Sequence, residues 1–412
     1  MFWAQTISAL SRASATLGLT SALAACGGAA GPAPQSEPVS VAPTAAAGKS
    51  VCDEALVKSA TEQADKDLPV AAALFDRGRR DAFESVARAY ADAVVSCPAH
   101  PDRVRWLVAL HEIFDHSKHP DQAMHAVRAM VCENLYPYGT TPLRLPRQDG
   151  ATFVDPYAKC EAAPAPAQLV TEGWVALGDY HLERGAPEDG GFGIHRAGAA
   201  FLQAASHADT PTGRARAELS FGVTLERRGR LHAAFTAFAA ILERGDASLE
   251  VLEDARTHAA TALASVEFEG PRDEAPFVAL DEPTDRAKTL EEMGAMLKPA
   301  VERARDPQLL PSDRRWGGEV ALELARLLSG LRLPKVAIAA YDVMLTRWPL
   351  HADRPAALSE LAYLLDGDRQ ADRAREVREE LSHALEPSSP WREANAQDAA
   401  ALMAAERYRT SY

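Results

Sequence analysis

No basic tract, no strand-like alternation and no nucleophile signature occurs in this 412-residue sequence. Each absence removes a class of function. The formal charge is −14, and no lysine- or arginine-rich run is available to neutralise a phosphate backbone. Nucleic acid is therefore not an expected partner. Past the N-terminal region no apolar run approaches the roughly 20 residues a helix needs to span a bilayer, so the body reads as soluble. No Cys-x-x-Cys or Gly-x-Ser-x-Gly is present, and no Gly-Lys-Ser/Thr follows the glycines at 185–193. Acyl transfer from a nucleophile elbow, phosphate cradling by a P-loop and a zinc ribbon lose their usual residues. No catalytic residue, cofactor or metal is assigned.

Two clusters need separate treatment. His111, Glu112, Asp115, His116, His119 and His125 are close together, but a zincin needs histidines at i and i+4 with the glutamate between them. His111 and His116 are five apart and do not share a helical face. Solvated or capping histidines near a helix end are expected. Gly185, Gly190, Gly191 and Gly193 follow no strand, so they read as a loop and a candidate contact element.

Cysteines are few, and four of the five stand in one region: Cys52, Cys97, Cys132 and Cys160. Four cysteines allow three pairings. Cys52 with Cys97 and Cys132 with Cys160 is the expected arrangement, because the second pair would close the Pro/Gly/Tyr-rich excursion 134–159. Free buried thiols, or a metal site using Cys97 and His100, are the alternatives. The fifth cysteine ends the run Leu23-Ala24-Ala25-Cys26, after an apolar and small-residue stretch at 13–25 that is too short to span a bilayer. Arg12 is the only basic residue before it. The run resembles the lipobox of bacterial lipoproteins. That resemblance implies cleavage before Cys26, its diacylation, and export into an oxidising compartment. Gly27 in place of aspartate points to the outer membrane, periplasmic face, with the inner membrane or the cell surface remaining open. Residues 27–50 are mostly Ala, Pro, Gly and Ser and cannot bury enough surface to offset ordering, so they read as a disordered tether.

The remainder carries apolar residues at period 3.6. Gly222, Leu225, Gly229, Ala234, Phe238 and Ile241 recur at spacings of 3, 4, 5, 4 and 3. Trp174, Leu177 and Gly178, then Ala197, Phe201 and Ala204, repeat that register around an inserted loop. So do Leu324, Ala325 and Leu328 with Ala337, Tyr341 and Met344, and Leu361, Ala362 and Leu365 with Ala374, Arg378 and Leu381. Trp106, Leu110, Ala123 and Val127 fit loosely. Val86, Tyr90 and Ala93 fit the second helix of an earlier unit. The pattern resembles the tetratricopeptide repeat (TPR), a helix–turn–helix of 34 residues. The expected fold is all-α: a TPR-like α-solenoid of helical hairpins behind a lipoprotein signal peptide and tether.

The chain is divided accordingly: 1–25 signal peptide; 26–50 lipidated cysteine and linker; 51–165 N-terminal helical region with disulfides; 166–266 TPR array; 267–285 a Pro-rich acidic linker; 286–412 a second array with a capping helix near 395–408. TPR resemblance implies a concave groove lined by the first helix of each hairpin. In that register it would present Glu172, Asp179, Glu183, Arg216, Glu226, Arg227, Glu319, Arg326, Tyr363 and Asp366 to a protein partner of the cell envelope. The functional expectation is a membrane-anchored scaffold or adaptor, held by lipid. An envelope enzyme subunit with a cryptic metal site, or a self-associating structural subunit, is the alternative.

Overall fold

The computed structural model describes residues 52–139, 157–162, 164–184, 192–268 and 290–409. Cys26, the tether, Gly185, Gly190, Gly191 and most of 267–285 lie outside the described residues. Within them the chain is all-helical, with sixteen helices and no strand. None of these helices is long and apolar enough to cross a membrane.

Contacts divide the chain into two units, residues 1–209 and 210–412. In the first, α1 (Glu54–Asp76) pairs with α2 (Glu84–Ser96), α3 (Arg103–His116) with α4 (Pro120–Val131), and α5 (Ala167–Arg184) with α6 (Phe192–His207). Contacts of α2 with α3 and of α4 with α5 join the hairpins. In the second, α7 (Pro211–Arg227) pairs with α8 (Leu231–Arg244), and α8 with α9 (Leu249–Ala264). α11 (Arg315–Gly330) pairs with α12 (Pro334–Arg347), and α13 (Arg354–Gly367) with α14 (Ala371–Ala384). α10 (Leu290–Arg305) packs on α12 and α9, and α9 packs on α11. The division at 209/210 thus falls inside the span 166–266, while α9 and α11, on either side of 267–285, belong to one unit. Short α15 (Pro390–Ala394) leads to α16 (Ala399–Arg409), which packs on α13.

Local chemistry sets the helix starts. Asp53 accepts from Leu56 N at 3.1 Å, Thr210 from Gly213 N at 3.1 Å and Ser389 from Arg392 N at 3.1 Å. These are side-chain N-caps, and Pro211 and Pro390 occupy the first turn, where a missing N–H costs nothing.

The hairpin turns repeat one geometry. Lys118, Gly229, Arg332 and Arg369 are all left-handed, with φ of 62°, 68°, 59° and 61°. In each, the N–H of that residue reaches back three positions, to Asp115, Glu226, Ser329 and Asp366. The next N–H reaches back five, to Phe114, Leu225, Leu328 and Leu365. That pair of bonds is the Schellman motif. Gly78 closes the first hairpin with the same two bonds. Five residues beyond the other four turns stand Ala123, Ala234, Ala337 and Ala374, all essentially inaccessible. Nine beyond stand Val127, Phe238, Tyr341 and Arg378; seven before stand His111, Gly222, Ala325 and Ala362.

A small residue seven before the turn permits close helix approach. A Cβ on Gly222 would lie less than 3.0 Å from the Phe238 ring. The α5–α6 hairpin does the same across its insertion, where a Cβ on Gly178 would meet the Phe201 ring at 2.5–2.7 Å. Real Cβ atoms do not come that close, so glycine is required for the ring to sit there.

Candidate interaction face

The ten residues expected to face a partner fall in both units, three in the first and seven in the second. In the second unit they lie on α7, α11 and α13, and most of the charged ones are bonded across to the next first-position helix or within the hairpin. Arg216 on α7 stands 3.9 Å from Glu250 on α9. Glu226 on α7 takes the Nδ1 of His258 on α9 at 2.8 Å. Arg256 on α9 reaches Glu319 on α11 at 3.4 Å. Arg326 on α11 holds Glu360 on α13 by Nε at 3.0 Å and Nη2 at 2.8 Å. Asp366 on α13 pairs with Arg378 on α14.

Glu360 is the most connected of these groups. The Tyr341 hydroxyl, from α12, donates to it at 2.6 Å. Burial and that carboxylate hold the Tyr341 hydroxyl well above its ordinary pKa, so it remains a donor. The same carboxylate raises Arg326. His258 also stacks on Phe238 at 5.3 Å, so the ring beside Gly222 is covered from the neighbouring helix. Arg227 and Tyr363 are exposed, Tyr363 by 79%. The face is thus a ladder of charged and polar pairs with an exposed aromatic near its C-terminal end. The Arg216–Glu250 pair is exposed and contributes about 0–1 kcal/mol, whereas Glu226 and Glu319 are largely buried in theirs.

In the first unit Glu172 accepts from Gln168 Nε2 at 2.8 Å, Asp179 is half-buried, and Glu183 is exposed. Beside them, Tyr180 donates to Asp121 at 2.7 Å and ties α5 to α4.

A buried polar group that sequence reading missed sits one residue further on. His181 Nε2 and the Tyr157 hydroxyl are 2.9 Å apart, and the Tyr157 ring meets Trp174 edge-on at 4.9 Å. All three residues are buried. Burial first, then Arg128 and Arg196, push His181 down to about 3. His125 falls to about 4 through burial and Arg128. With no exposed surface for a substrate, the Tyr157–His181 pair is a core contact. Its only sequence signal is that Tyr157 stands three residues before Cys160.

The cysteines are joined as Cys52–Cys97 and Cys132–Cys160. Asn134 bridges the second bond's neighbourhood, donating to Lys159 O at 2.9 Å and accepting from Glu161 N at 2.8 Å. Cys97 is therefore not a thiolate ligand, and His100 instead stacks on Trp106 at 4.6 Å. The histidine run disperses. His116 meets Asp76 at 2.9 Å and lies edge-on to Phe75 and Phe83. His119 is the N-cap residue of α4, and His125 lies edge-on to Tyr138 at 5.0 Å. Among the described residues no group of three or more His, Cys, Asp or Glu is placed to hold a metal ion.

No protein-family model matches the chain, and no curated protein matches it.

Proposed function

We propose that this chain is a TPR-type adaptor of the bacterial cell envelope, anchored through Cys26 to the periplasmic face of the outer membrane. It binds a protein partner along the face carried by α7, α9, α11 and α13, with Tyr363 as its exposed aromatic anchor. One observation carries the reading. The same turn, the same inaccessible alanine five residues later and the same small residue seven earlier recur in the α7–α8, α11–α12 and α13–α14 hairpins of the second unit. A repeated hairpin that buries its own small-residue seam leaves its charged face for recognition rather than for stability. The exposed Arg216–Glu250 pair, Arg227 and Tyr363 are the groups of that face open to an extended or helical peptide.

The test is crosslinking in intact cells. A photoreactive residue is placed at 363, and a Cys26→Ser form is run in parallel. Envelope proteins joined through position 363, and lost when Cys26 is replaced, are the expected result. Attachment only to further copies of the chain, or to nothing, would remove the adaptor reading.

A further inference from the structure

The second unit breaks its own packing order once. α8 is held by α7 and α9, whereas α10 packs on α12 and α9. One side of α8 therefore borders a groove. His232, Phe235, Thr236, Ala239, Ala240 and Glu243 line it at i, i+3, i+4, i+7, i+8 and i+11, a continuous helical stripe. Opposite stand Phe268, four residues past the end of α9, the loop after α10, and Trp316 in the first turn of α11. The groove holds about 620 Å³, within the roughly 300–1,000 Å³ of a ligand pocket.

Its floor is aromatic. Phe235 and Phe268 are buried, with ring centroids 6.0 Å apart, and the His232 ring lies 5.2 Å from Phe268. Arg303 sits over Phe268 at 4.7 Å and donates to the carbonyls of Leu263 and Ser265. Trp316 Nε1 donates to Glu243 at 2.6 Å, which sets the indole at the edge of the groove.

Both formal charges among the lining residues are negative, Glu243 and Asp306. Glu243 is engaged, by Trp316 and by Arg314 at 3.1 Å. Asp306 forms no ion pair among the described residues, and its Oδ1 accepts only from Gln308 N, at 2.8 Å. It follows the last residue of α10, where the carbonyl end of a helix adds partial negative charge. Arg347 is the cation that senses this carboxylate, but both its Nη groups are given to the carbonyls of Ala304 and Leu310.

An aromatic floor beside an unpaired carboxylate and a helix C-terminus favours an occupant that is apolar along its body and cationic at its tip. We propose that this groove docks a peptide segment of a partner protein in which an aromatic residue is followed by lysine or arginine. The aromatic ring would lie on Phe235 and against Trp316, and the basic head would reach Asp306. An acidic peptide of the same shape would meet that carboxylate as a like charge, so the sign of the partner is selected along with its apolar anchor. The floor belongs to α8 and not to the face carried by α7, α9, α11 and α13, so the groove stands whether or not that face is used.

The hexapeptide Gly-Phe-Lys-Phe-Lys-Gly, blocked at both ends, is titrated calorimetrically into the full-length protein. Gly-Phe-Glu-Phe-Glu-Gly and Gly-Ser-Lys-Ser-Lys-Gly are run beside it, the first reversing the charge and the second removing the rings. Three variants are compared. Asp306→Asn removes the free carboxylate. Ala240→Lys places a cation on the exposed lip of the groove, where circular dichroism will show the fold retained. Glu253→Gln removes an exposed carboxylate of α9 outside the groove. One saturable site is expected for the aromatic basic peptide, weakened about fivefold or more by Asp306→Asn and by Ala240→Lys, and unchanged by Glu253→Gln. The proposal is overturned if that peptide does not saturate, if the three peptides bind alike, or if Glu253→Gln weakens binding as much as Asp306→Asn. A photoreactive residue at 240 that joins only to residues 269–289 of the same chain, or to a second copy, would also overturn it by naming a different occupant.

Discussion

Gly222 and Phe238 show how one atom governs a hairpin. Replacing Gly222 with alanine improves helix propensity by about 1 kcal/mol but forces the Phe238 ring from its place, at about 1–3 kcal/mol. A net loss of up to about 2 kcal/mol is expected, read from the midpoint of urea unfolding. The buried histidines supply a second prediction. His111, His125, His181 and His351 all have pKa values lowered by burial. For His181 the folded value is about 3 against an ordinary 6.5, so the unfolded chain binds the proton first. Its contribution is complete above pH 6.5 and is lost as pH falls from there toward 3. Unfolding free energy should therefore drop between pH 7.5 and pH 5. A His181→Gln variant should show a shallower slope, by up to about 1.4 kcal/mol per pH unit. Equal slopes in both proteins would refute the assignment. None of this burial is readable locally: a histidine flanked by tyrosine and leucine looks the same in a core or on a surface.

At the scale of the element, the hairpin turn is the repeated device. Its left-handed residue is glycine at 229 but arginine at 332 and 369. A side chain costs about 1 kcal/mol in that conformation, partly offset because glycine gains entropy in the unfolded chain. Arg332→Gly and Arg369→Gly should each raise stability by about 0.5 kcal/mol, and Gly229→Ala should lower it by about 1 kcal/mol, with unfolding m-values unchanged. A uniform response to all three would mean the turn is not held as described. The register of these turns was legible in the sequence through Gly222, Ala234 and Phe238 and their counterparts, because small residues at fixed offsets mark where helices must touch. The turns at Arg332 and Arg369 were not marked, since arginine carries no signal for positive φ. Nor were the ion pairs. Glu226, Glu319, Arg326 and Asp366 were expected to face a partner, but whether a charge meets solvent or the next helix depends on residues about 12 to 63 positions away.

For the molecule as a whole, the cysteines distribute stability unevenly. Both disulfides lie in the first unit, closing loops separated by 45 and 28 residues. In the chain-entropy view each contributes about 4 kcal/mol. Reduction should lower the transition of the first unit and leave that of the second in place, which scanning calorimetry with and without a thiol reductant will separate. A single transition shifting as one body would contradict independent units.

What the sequence by itself determined is the class of architecture. Apolar period, glycine and alanine offsets and proline at helix starts are local properties, and they suffice for helical hairpins that stack. The anchor proposed at Cys26 rests on local sequence alone and lies outside the described residues. Only the tertiary structure decided which charges are spent between helices, which histidines lose solvent, and that Phe235, Phe268, Asp306 and Trp316 border one groove. Those outcomes follow from desolvation and from contacts between distant elements, and neither leaves a periodic trace along the chain.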